Sequence, residues 1–470
     1  TRTGESARMT SGDVSRRVGL PPAVTSWLPQ ARWYGGDPAA ELALADACPA
    51  DGVTLALIEP RPAAAGESVG YVAPITSDAG ADAACTQPFA RWLVEVVTCG
   101  RVVPGMHGTF VGRPALGQAT VAAAPDAVVP LGTDASNTSC LVRTGGDACV
   151  TKLLRRCRAG IQPEVEIGDF FARHSPFAAT PRLRGWLEYL PAGGGPSTVL
   201  ATIHDHLPEC ESAWDLLGRL LADRGPDGPH RDRIVGIVAA IGRVTAAMHA
   251  ALAARPDVPA FAPRNATPAD RAAAAADLVA HATEVFAFAA AASALPAEVA
   301  DRVRRVVAAE EVIGTRLRGI ADVLPQKLIR VHGDFHLGQV LVATAGDRVF
   351  VIDFEGEPGR TLDARRAFAP AAKDVAGMCR SFDYLARHAS VPHPAATAAT
   401  LAGHYRAAYE SVAGGHDWWP ANAATADRLV TLLALDKAVY ELAYELRHRP
   451  DWVGIPLAGI EAVLSCSDGL

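Results

Sequence analysis

The sequence predicts an α+β fold with a strand-rich first part and a mainly helical second part. Short apolar runs separated by glycine and proline turns occupy residues 1–208, which is the pattern of strands and tight turns. Alanine-rich stretches such as residues 271–292 have high helix propensity and are typical of the part that follows. A chain of 470 residues is too long for one ordinary core. We therefore expect three domains, at residues 1–105, 106–208 and 209–470.

The composition excludes several classes of function. The chain has 44 basic and 51 acidic residues, a net charge of −7, and this mildly acidic balance argues against a nucleic-acid partner. Lysine and arginine are scattered, and we find no apolar run of roughly 18 residues, so no membrane association is expected. The nine cysteines occur singly, without a C-x-x-C pair, which predicts reduced thiols and no zinc site. A cytoplasmic location is the expectation.

A β-hairpin is predicted near the middle of the strand-rich part. Residues 139–142 and 148–154 read as strands, and Thr144-Gly145-Gly146-Asp147 between them is a tight-turn sequence. A helix is predicted to begin at Pro163 and to run to Arg173, because proline is favoured in the first turn. Further strands are predicted at residues 53–58, 109–112, 119–123, 186–189 and 198–203, and a helix at residues 89–98.

This hairpin and the helix after it carry candidates for binding a nucleotide. Lys152 lies on the returning strand, and Glu164 and Glu166 lie on the helix. A lysine paired with a helical glutamate is how kinases hold nucleotide phosphates. We expect one of the two glutamates to pair with Lys152, and select Glu166 as the nucleotide-binding candidate.

Two loops complete the nucleotide-binding candidates. The turn at residues 134–139 offers small polar groups and backbone N–H donors to phosphates, with Ser136, Asn137 and Thr138 as candidates. It lacks a G-x-G-x-x-G pattern. Asp205 lies in a short His-Asp-His-Leu segment after a strand, and that segment is the candidate hinge whose backbone would contact adenine.

A second hairpin carries the most informative polar residues. Its strands, at residues 340–342 and 349–352, are joined by Ala345-Gly346-Asp347. Asp334 and Gln339 precede the first strand, and Asp353 and Glu355 follow the second. These four residues are the candidates for catalysis and metal binding. Because an antiparallel hairpin brings its two outer ends together, we expect these side chains to lie close to one another.

This arrangement is what phosphoryl transfer requires. Kinases use an aspartate as base, an amide five residues later, and a metal-binding aspartate after the hairpin. We therefore expect Asp334 to be the catalytic base and Gln339 and Asp353 to hold Mg²⁺, with Glu355 as a further candidate ligand. The alternative is that these residues are ordinary turn and strand-end residues. His332 is expected to be a structural imidazole.

The segments at residues 332–341 and 353–358 resemble the actinobacterial maltokinase-like branch of the aminoglycoside phosphotransferase family. The resemblance continues at residues 33–34, 163–168, 374–384, 436–445 and 449–457. It implies a bilobal protein-kinase-like fold with an N-terminal cap domain and a mainly helical C-lobe. It also implies ATP and Mg²⁺ as cofactors and a small-molecule sugar as the acceptor. Two activities occur in this branch: maltose to maltose 1-phosphate, and glucosamine to glucosamine 6-phosphate.

The candidate sugar pocket lies late in the chain. A long helix is predicted over residues 427–449, and Tyr440, Glu441 and Tyr444 share one face of it. Trp452 follows the helix and could cover the apolar face of a sugar. For glucosamine, Glu441 could pair with the C2 ammonium. The alternative is that Glu441 and Glu445 pair with Lys437 and Arg449 on a solvated face.

Two departures from typical maltokinases favour glucosamine as the acceptor. Asp37 stands where those sequences carry a basic residue, and residues 363–373 differ from their arginine-rich segment. Asp334 and His336 are the further candidates for contact with the sugar. A maltokinase is the main alternative, followed by an aminoglycoside phosphotransferase and a non-catalytic pseudokinase. The pseudokinase is disfavoured because Lys152 and the proposed base and metal ligands are all present.

Overall fold

The computed structural model describes residues 20–61, 70–116, 125–132, 136–223, 225, 228–292 and 295–465. The chain forms two compact units. Unit 1 comprises Thr1–Arg173, Pro181–Leu207 and Arg360–Asp363, and unit 2 comprises His174–Thr180, Pro208–Gly359 and Ala364–Leu470. The predicted strand at 119–123 and positions 134 and 135 of the predicted turn lie outside the described residues.

Up to residue 207 the chain is mainly strands. The elements are α1 (Pro22–Trp27), β1 (Glu41–Ala50), β2 (Val53–Arg61), β3 (Gly70–Thr76), α2 (Gln87–Thr98), β4 (Val102–Pro104), β5 (Gly108–Pro114), β6 (Ala127–Leu131), β7 (Thr138–Thr144), β8 (Asp147–Leu153), β9 (Arg156–Cys157), α3 (Pro163–His174), β10 (Leu183–Pro191) and β11 (Thr198–Asp205). A 3₁₀ turn, Leu28–Gln30, follows α1.

After residue 207 helices dominate. The elements are β12 (Cys210–Ser212), α4 (Ala213–Ala222), α5 (Arg231–Leu252), β13 (Arg264–Asn265), α6 (Pro268–Ala290), α7 (Ala297–Ala308), α8 (Glu310–Arg318), α9 (Ile320–Val323), β14 (Lys327–Leu328), β15 (Val340–Ala343), β16 (Val349–Val351), α10 (Leu362–Arg365), α11 (Ala372–His388), α12 (Pro394–Ala413), α13 (Ala423–His448) and α14 (Gly454–Ser465). Two 3₁₀ turns, Leu337–Gln339 and Pro450–Trp452, lie before β15 and α14.

Unit 1 contains two antiparallel sheets that share one hydrophobic core. The four-stranded sheet has the order β1-β2-β3-β9, and the seven-stranded sheet has the order β4-β5-β10-β11-β8-β7-β6. Leu55 of the smaller sheet and Leu187 of the larger one belong to the same buried cluster, together with Phe89 of α2. Side chains alternate along β2, so Ala56 and Ile58 face a second cluster, which contains α1. The predicted boundary at residue 105 stays a prediction.

The first predicted hairpin is confirmed. β7 and β8 pair in register down to Thr144 and Asp147. Gly145 and Gly146 form the turn with φ of +46° and +109°, the left-handed geometry that a two-residue hairpin turn needs. The helix predicted from Pro163 is also confirmed as α3, and the strands predicted at residues 186–189 and 198–203 lie within β10 and β11.

Unit 2 is mainly helical and contains a small sheet. β12, β15 and β16 form a three-stranded antiparallel sheet, so the second predicted hairpin is confirmed. Helix α11 packs against both α12 and α13. Helix α13 begins before the predicted position 427, because the Asn422 side chain caps its first turn by accepting a hydrogen bond from Thr425 N at 2.8 Å.

Among the residues that the structure describes, two helices are long and apolar enough, by length and composition alone, to cross a membrane. They are Arg231–Leu252 and Pro268–Ala290. The expectation that no segment reaches that length and hydropathy was therefore wrong. The finding is weak evidence for a membrane span, because core helices of soluble proteins meet the same criterion, and half of the apolar window in Arg231–Leu252 is buried within the fold.

Candidate active site

The loop that carries Asp334 is held in place by a buried carboxylate. Asp374, in the first turn of α11, accepts hydrogen bonds from the backbone N–H groups of His332 at 2.8 Å and Gly333 at 2.9 Å. His249 of α5 contacts the same carboxylate at 2.9 Å. Burial raises the pKa of Asp374, but His249, His332 and Gly333 outweigh it, so that the pKa is lowered overall. An ionised carboxylate therefore fixes the loop just before Asp334.

Two glycines allow this loop to fold against α11. Gly333 has a φ of +90°, which other residues rarely adopt. Gly377 of α11 lies so near the loop that a Cβ atom there would be 2.7 Å from the carbonyl oxygen of Phe335. Gly333, between His332 and Asp334, is thus required by the backbone conformation of the loop.

Asp334 is ion-paired to Lys437, a partner that motif spacing does not predict. Lys437 Nζ of α13 lies 3.1 Å from Asp334 Oδ1 and 4.7 Å from the centre of the Tyr440 ring. Burial raises the pKa of Asp334, but Lys437, His336 and His332 outweigh it and lower the pKa to about 2. Burial lowers the pKa of Lys437, but Asp334, Glu357 and Glu441 together raise it. Both groups are therefore charged.

The residues at the two outer ends of the second hairpin meet, as its antiparallel pairing predicts. Gln339 Nε2 donates to Asp353 Oδ2 at 2.7 Å. Carboxylate oxygens of Asp353 and Glu355 lie within 4.8 Å of one another. Asp353 has a φ of +68°, and such backbone conformations in residues other than glycine concentrate at functional sites. The donors are all oxygens, and this set fits Mg²⁺.

The two histidines of the loop differ in their surroundings. His332 is buried, its Nε2 lies 2.9 Å from the Ile352 carbonyl oxygen, and its ring packs against Phe335 and Phe354. It is the structural imidazole that we expected. His336 accepts a hydrogen bond from Gly338 N at Nδ1, at 3.1 Å. Burial lowers the pKa of His336, although Asp334 opposes the shift, so the ring is neutral near pH 7.

Glu441 and Glu445 are buried, so the solvated face of that alternative is wrong, although Glu445 does pair with Arg449 as it expected. Glu441 is buried, and its Oε2 accepts hydrogen bonds from Arg380 Nε at 2.9 Å and Nη2 at 2.7 Å. Glu445 is buried and contacts Arg449 at 2.7 Å and the Tyr384 hydroxyl at 3.0 Å. Burial raises the pKa of Glu441, while Arg380 lowers it in part.

The two carboxylate oxygens of Glu441 differ in their hydrogen bonds. Both hydrogen bonds from Arg380 go to Oε2, and within the described residues Oε1 accepts none. The Arg380 guanidinium also donates to Asp383 at 2.8 Å, and this second anchor fixes the orientation of the Glu441 carboxylate. Arg380 was not among the candidates predicted from the sequence, and its position within the resembling segment at residues 374–384 was its only signal.

The aromatic candidates have protein neighbours of their own. Tyr444 is 40% exposed and lies 4.8 Å from the His448 ring. Trp452 packs against Tyr384 and His388, and the Arg449 guanidinium lies 4.8 Å from its ring centre. Their contact with a sugar stays a prediction.

The candidate nucleotide residues lie in unit 1. Lys152 and Glu164 are both buried, and Lys152 Nζ lies 3.1 Å from Glu164 Oε2. Glu164 Oε1 lies 3.8 Å from His204 Nε2. The glutamate in this contact with Lys152 is therefore Glu164. Glu166 lies two positions further along the helix and faces a different direction. Glu166 as a nucleotide-binding residue stays a prediction.

The two candidate loops of unit 1 are also held by arginines. Arg155 Nε donates to the Thr138 hydroxyl at 2.8 Å, and Asn137 beside it is buried, whereas Ser136 is partly exposed. The Asp205 carboxylate contacts Arg184 at 2.6 Å and Arg182 at 3.3 Å. With its side chain engaged in this way, Asp205 would contribute to a hinge through its backbone.

The fold and these residues define the protein as a protein-kinase-like phosphotransferase. The family model described as the phosphotransferase enzyme family matches residues 127–356. A glucosamine kinase of Mycolicibacterium smegmatis is 30% identical over 348 residues, covering 71% of this chain and 79% of that protein. A glucosamine kinase of Streptacidiphilus jiangxiensis is 32% identical over 341 residues, covering 69% of this chain and 70% of that protein.

A solved structure extends the similarity. The structure of a glucosamine kinase in complex with glucosamine, ADP and inorganic phosphate matches with a TM-score of 0.64 and 25% identity, covering 92% of this chain and 98% of that chain. The chain belongs to the phosphotransferase enzyme family. The expected fold class and the expectation of a phosphotransferase are confirmed by these findings.

Proposed function

We propose that the protein is an ATP-dependent sugar kinase that phosphorylates glucosamine to glucosamine 6-phosphate. Two relatives carry the name glucosamine kinase, and the solved neighbour binds glucosamine and ADP. The observation that carries the proposal is Asp334, an ionised carboxylate on a loop that Asp374 and Gly377 fix in position. A fixed carboxylate of this kind is the base that positions an acceptor hydroxyl in a kinase.

Lys437 leaves one oxygen of Asp334 for the acceptor. It contacts Oδ1, and within the described residues Oδ2 accepts no hydrogen bond. The acceptor hydroxyl would donate to Oδ2. Because the pKa of Asp334 is about 2, far below that of a sugar hydroxyl, the proton moves late, once the phosphoryl group has begun to bond the oxygen. Asp334 therefore acts mainly by orienting the hydroxyl.

The oxygen donors at the hairpin ends would hold the metal. Gln339 and Asp353 are the proposed Mg²⁺ ligands, with Glu355 as a further one. When bound, Mg²⁺ neutralises charge on the nucleotide phosphates. Lys152, oriented by Glu164, is proposed to contact those phosphates, with backbone N–H groups at residues 136–138 as further donors.

Glu441 supports an amino sugar as the acceptor. Arg380 fixes the carboxylate through Oε2, so Oε1 keeps a defined direction and could accept a charge-assisted hydrogen bond from the C2 ammonium of glucosamine. Maltose has no ammonium group and would make no such contact. Tyr440, whose ring lies beside Lys437, is proposed to line the same region.

A comparison of acceptors tests the proposal. The purified protein is incubated with ATP and Mg²⁺ and with glucosamine, glucose, maltose or kanamycin, and ADP release is followed. We expect the highest kcat/KM for glucosamine, with phosphate on O6 by NMR. Turnover of maltose without turnover of glucosamine would overturn the choice of acceptor, and the absence of ADP release with every sugar would overturn the sugar kinase itself.

A further inference from the structure

Two thiols in unit 1 lie in direct contact. Cys85 is in the segment between β3 and α2, and Cys140 is in β7. Their sulfur atoms are 2.7 Å apart, although 55 residues separate them in the chain. The proposed phosphoryl transfer uses neither residue.

We propose that Cys85 and Cys140 form an oxidative modification site, which a hydroperoxide converts into an intramolecular disulfide. The Cys85 thiolate attacks one peroxide oxygen, the O–O bond breaks, and Cys85 becomes a sulfenic acid; the departing hydroxide or alkoxide takes up the proton that Cys85 had released and becomes water or an alcohol. The Cys140 sulfur then attacks the Cys85 sulfur, and hydroxide leaves and takes the thiol proton to become water. Two thiols and one hydroperoxide thus give one disulfide, one water, and a second water or an alcohol.

The surroundings of the two sulfurs assign these roles. Cys85 is partly exposed, whereas Cys140 is only 1% exposed, so a small oxidant reaches Cys85 first. The Cys140 thiol lowers the pKa of Cys85 by hydrogen bonding to it, and Arg155 adds to this, whereas burial and Asp82 oppose it. The same contact and burial raise the pKa of Cys140. Of the two thiols Cys85 therefore ionises first, and the thiolate is the reactive form.

Little movement is needed to close the bond. A disulfide has a sulfur–sulfur distance of about 2.05 Å, so the sulfurs would approach by only roughly 0.7 Å from the observed 2.7 Å. Cys140 is fixed inside the seven-stranded sheet, where it pairs with Thr151 and Pro130. Cys85 lies just before the first turn of α2, outside any strand or helix, and is the partner that can shift.

Peptide mapping of the native full-length chain tests the proposal. After brief treatment with hydrogen peroxide and alkylation of the remaining thiols, digestion without reductant should yield a peptide pair linked through Cys85 and Cys140, which dithiothreitol releases. The oxidised chain should also melt at a higher temperature, since a cross-link over 55 residues restricts the unfolded chain. Loss of the linked pair in Cys85→Ser is expected.

Two further variants separate pair chemistry from mere exposure. In Cys140→Ser, Cys85 should accumulate as a sulfenic acid that dimedone labels. In Cys99→Ser, which removes the exposed thiol at the end of α2, linkage should proceed unchanged. Oxidation of Cys99 with no linkage between Cys85 and Cys140 in the wild-type chain would overturn the proposal, and so would linkage that appears only after denaturation.

Discussion

At the residue scale, Asp334 experiences two opposing effects. Burial makes its charged form unfavourable, and the Lys437 ammonium 3.1 Å away makes it favourable. The effect of the lysine contributes to a net lowering of the Asp334 pKa. Motif spacing could predict Asp334, Gln339 and Asp353 as a group, because these residues come from one continuous segment. Lys437 follows Asp334 by 103 residues, so no local pattern links them. The signal that could have found it is its spacing from Tyr440 and Glu441, which places it on the same helix face.

Replacing Lys437 should change the pH dependence of the reaction. In Lys437→Met, burial is no longer opposed by the lysine, so the pKa of Asp334 rises above its present value of about 2. The base must be deprotonated, and the acid limb of the kcat profile should therefore move to higher pH. Lys437→Arg keeps the charge and is the matched control. Identical acid limbs in wild type and Lys437→Met would show that Lys437 does not set the ionisation of Asp334.

Replacing Glu441 should affect amino sugars selectively. Glu441→Gln removes a charge-assisted hydrogen bond, and we expect KM for glucosamine to rise about tenfold to a hundredfold, while KM for glucose changes little. The control is Glu445→Gln, which alters a buried glutamate one turn later on α13. If KM rises equally for glucosamine and glucose in Glu441→Gln, the Glu441 carboxylate supports the fold and does not bind the ammonium group.

At the element scale, α11 and the second hairpin set the geometry of the site. The hairpin could be predicted, since two apolar runs around Ala345-Gly346-Asp347 leave few alternatives. The role of α11 could be read only in part. The cap position of α11 is Ala371, and Asp374 in the first turn reaches the loop at His332 and Gly333. That contact joins distant segments and depends on tertiary packing.

Removing the Asp374 carboxylate should destabilise the loop that carries Asp334. Asp374→Ala leaves the buried N–H group of His332 and the partly buried N–H group of Gly333 without acceptors, and a buried donor without a partner costs about 1–3 kcal/mol. We expect a lower melting temperature and a kcat at least tenfold lower, by calorimetry and steady-state kinetics. Asp215→Ala, in the first turn of α4 and exposed, is the control and should cost much less. Equal losses of melting temperature and kcat in the two variants would show that Asp374 stabilises only the end of its helix and not the loop.

At the scale of the whole molecule, the N-terminal strands are joined to the rest of unit 1. Buried Asp46 of β1 accepts hydrogen bonds from Met106 N at 2.6 Å and from the Tyr189 hydroxyl at 2.7 Å. Arg155 donates to the Val72 carbonyl oxygen and contacts Asp82. The strand predicted at residues 53–58 lies within β2, whereas β1 and β3 were not predicted. The isolated polar contacts that join these strands to the rest of unit 1 have no sequence signature.

Deleting residues 1–105 should therefore disrupt unit 1. The deletion removes one side of the shared core and leaves Leu187 and Val142 facing solvent. We expect the shortened chain to lose nucleotide binding by calorimetry and to show less strand signal by circular dichroism than the remaining strands would give. A shortened chain that binds ADP with wild-type affinity would show that residues 1–105 form an independent domain.

The most direct test of the central claim is the rate of glucosamine phosphorylation by wild type and Asp334→Asn, measured side by side with saturating ATP and Mg²⁺. Loss of a catalytic base costs about 10²–10⁴ in rate. We predict a fall of that size in kcat, with unchanged ADP affinity and an unchanged melting profile near pH 7 as evidence of an intact fold. Full turnover by Asp334→Asn would contradict the account, because Asp334 is the residue proposed to orient the acceptor hydroxyl.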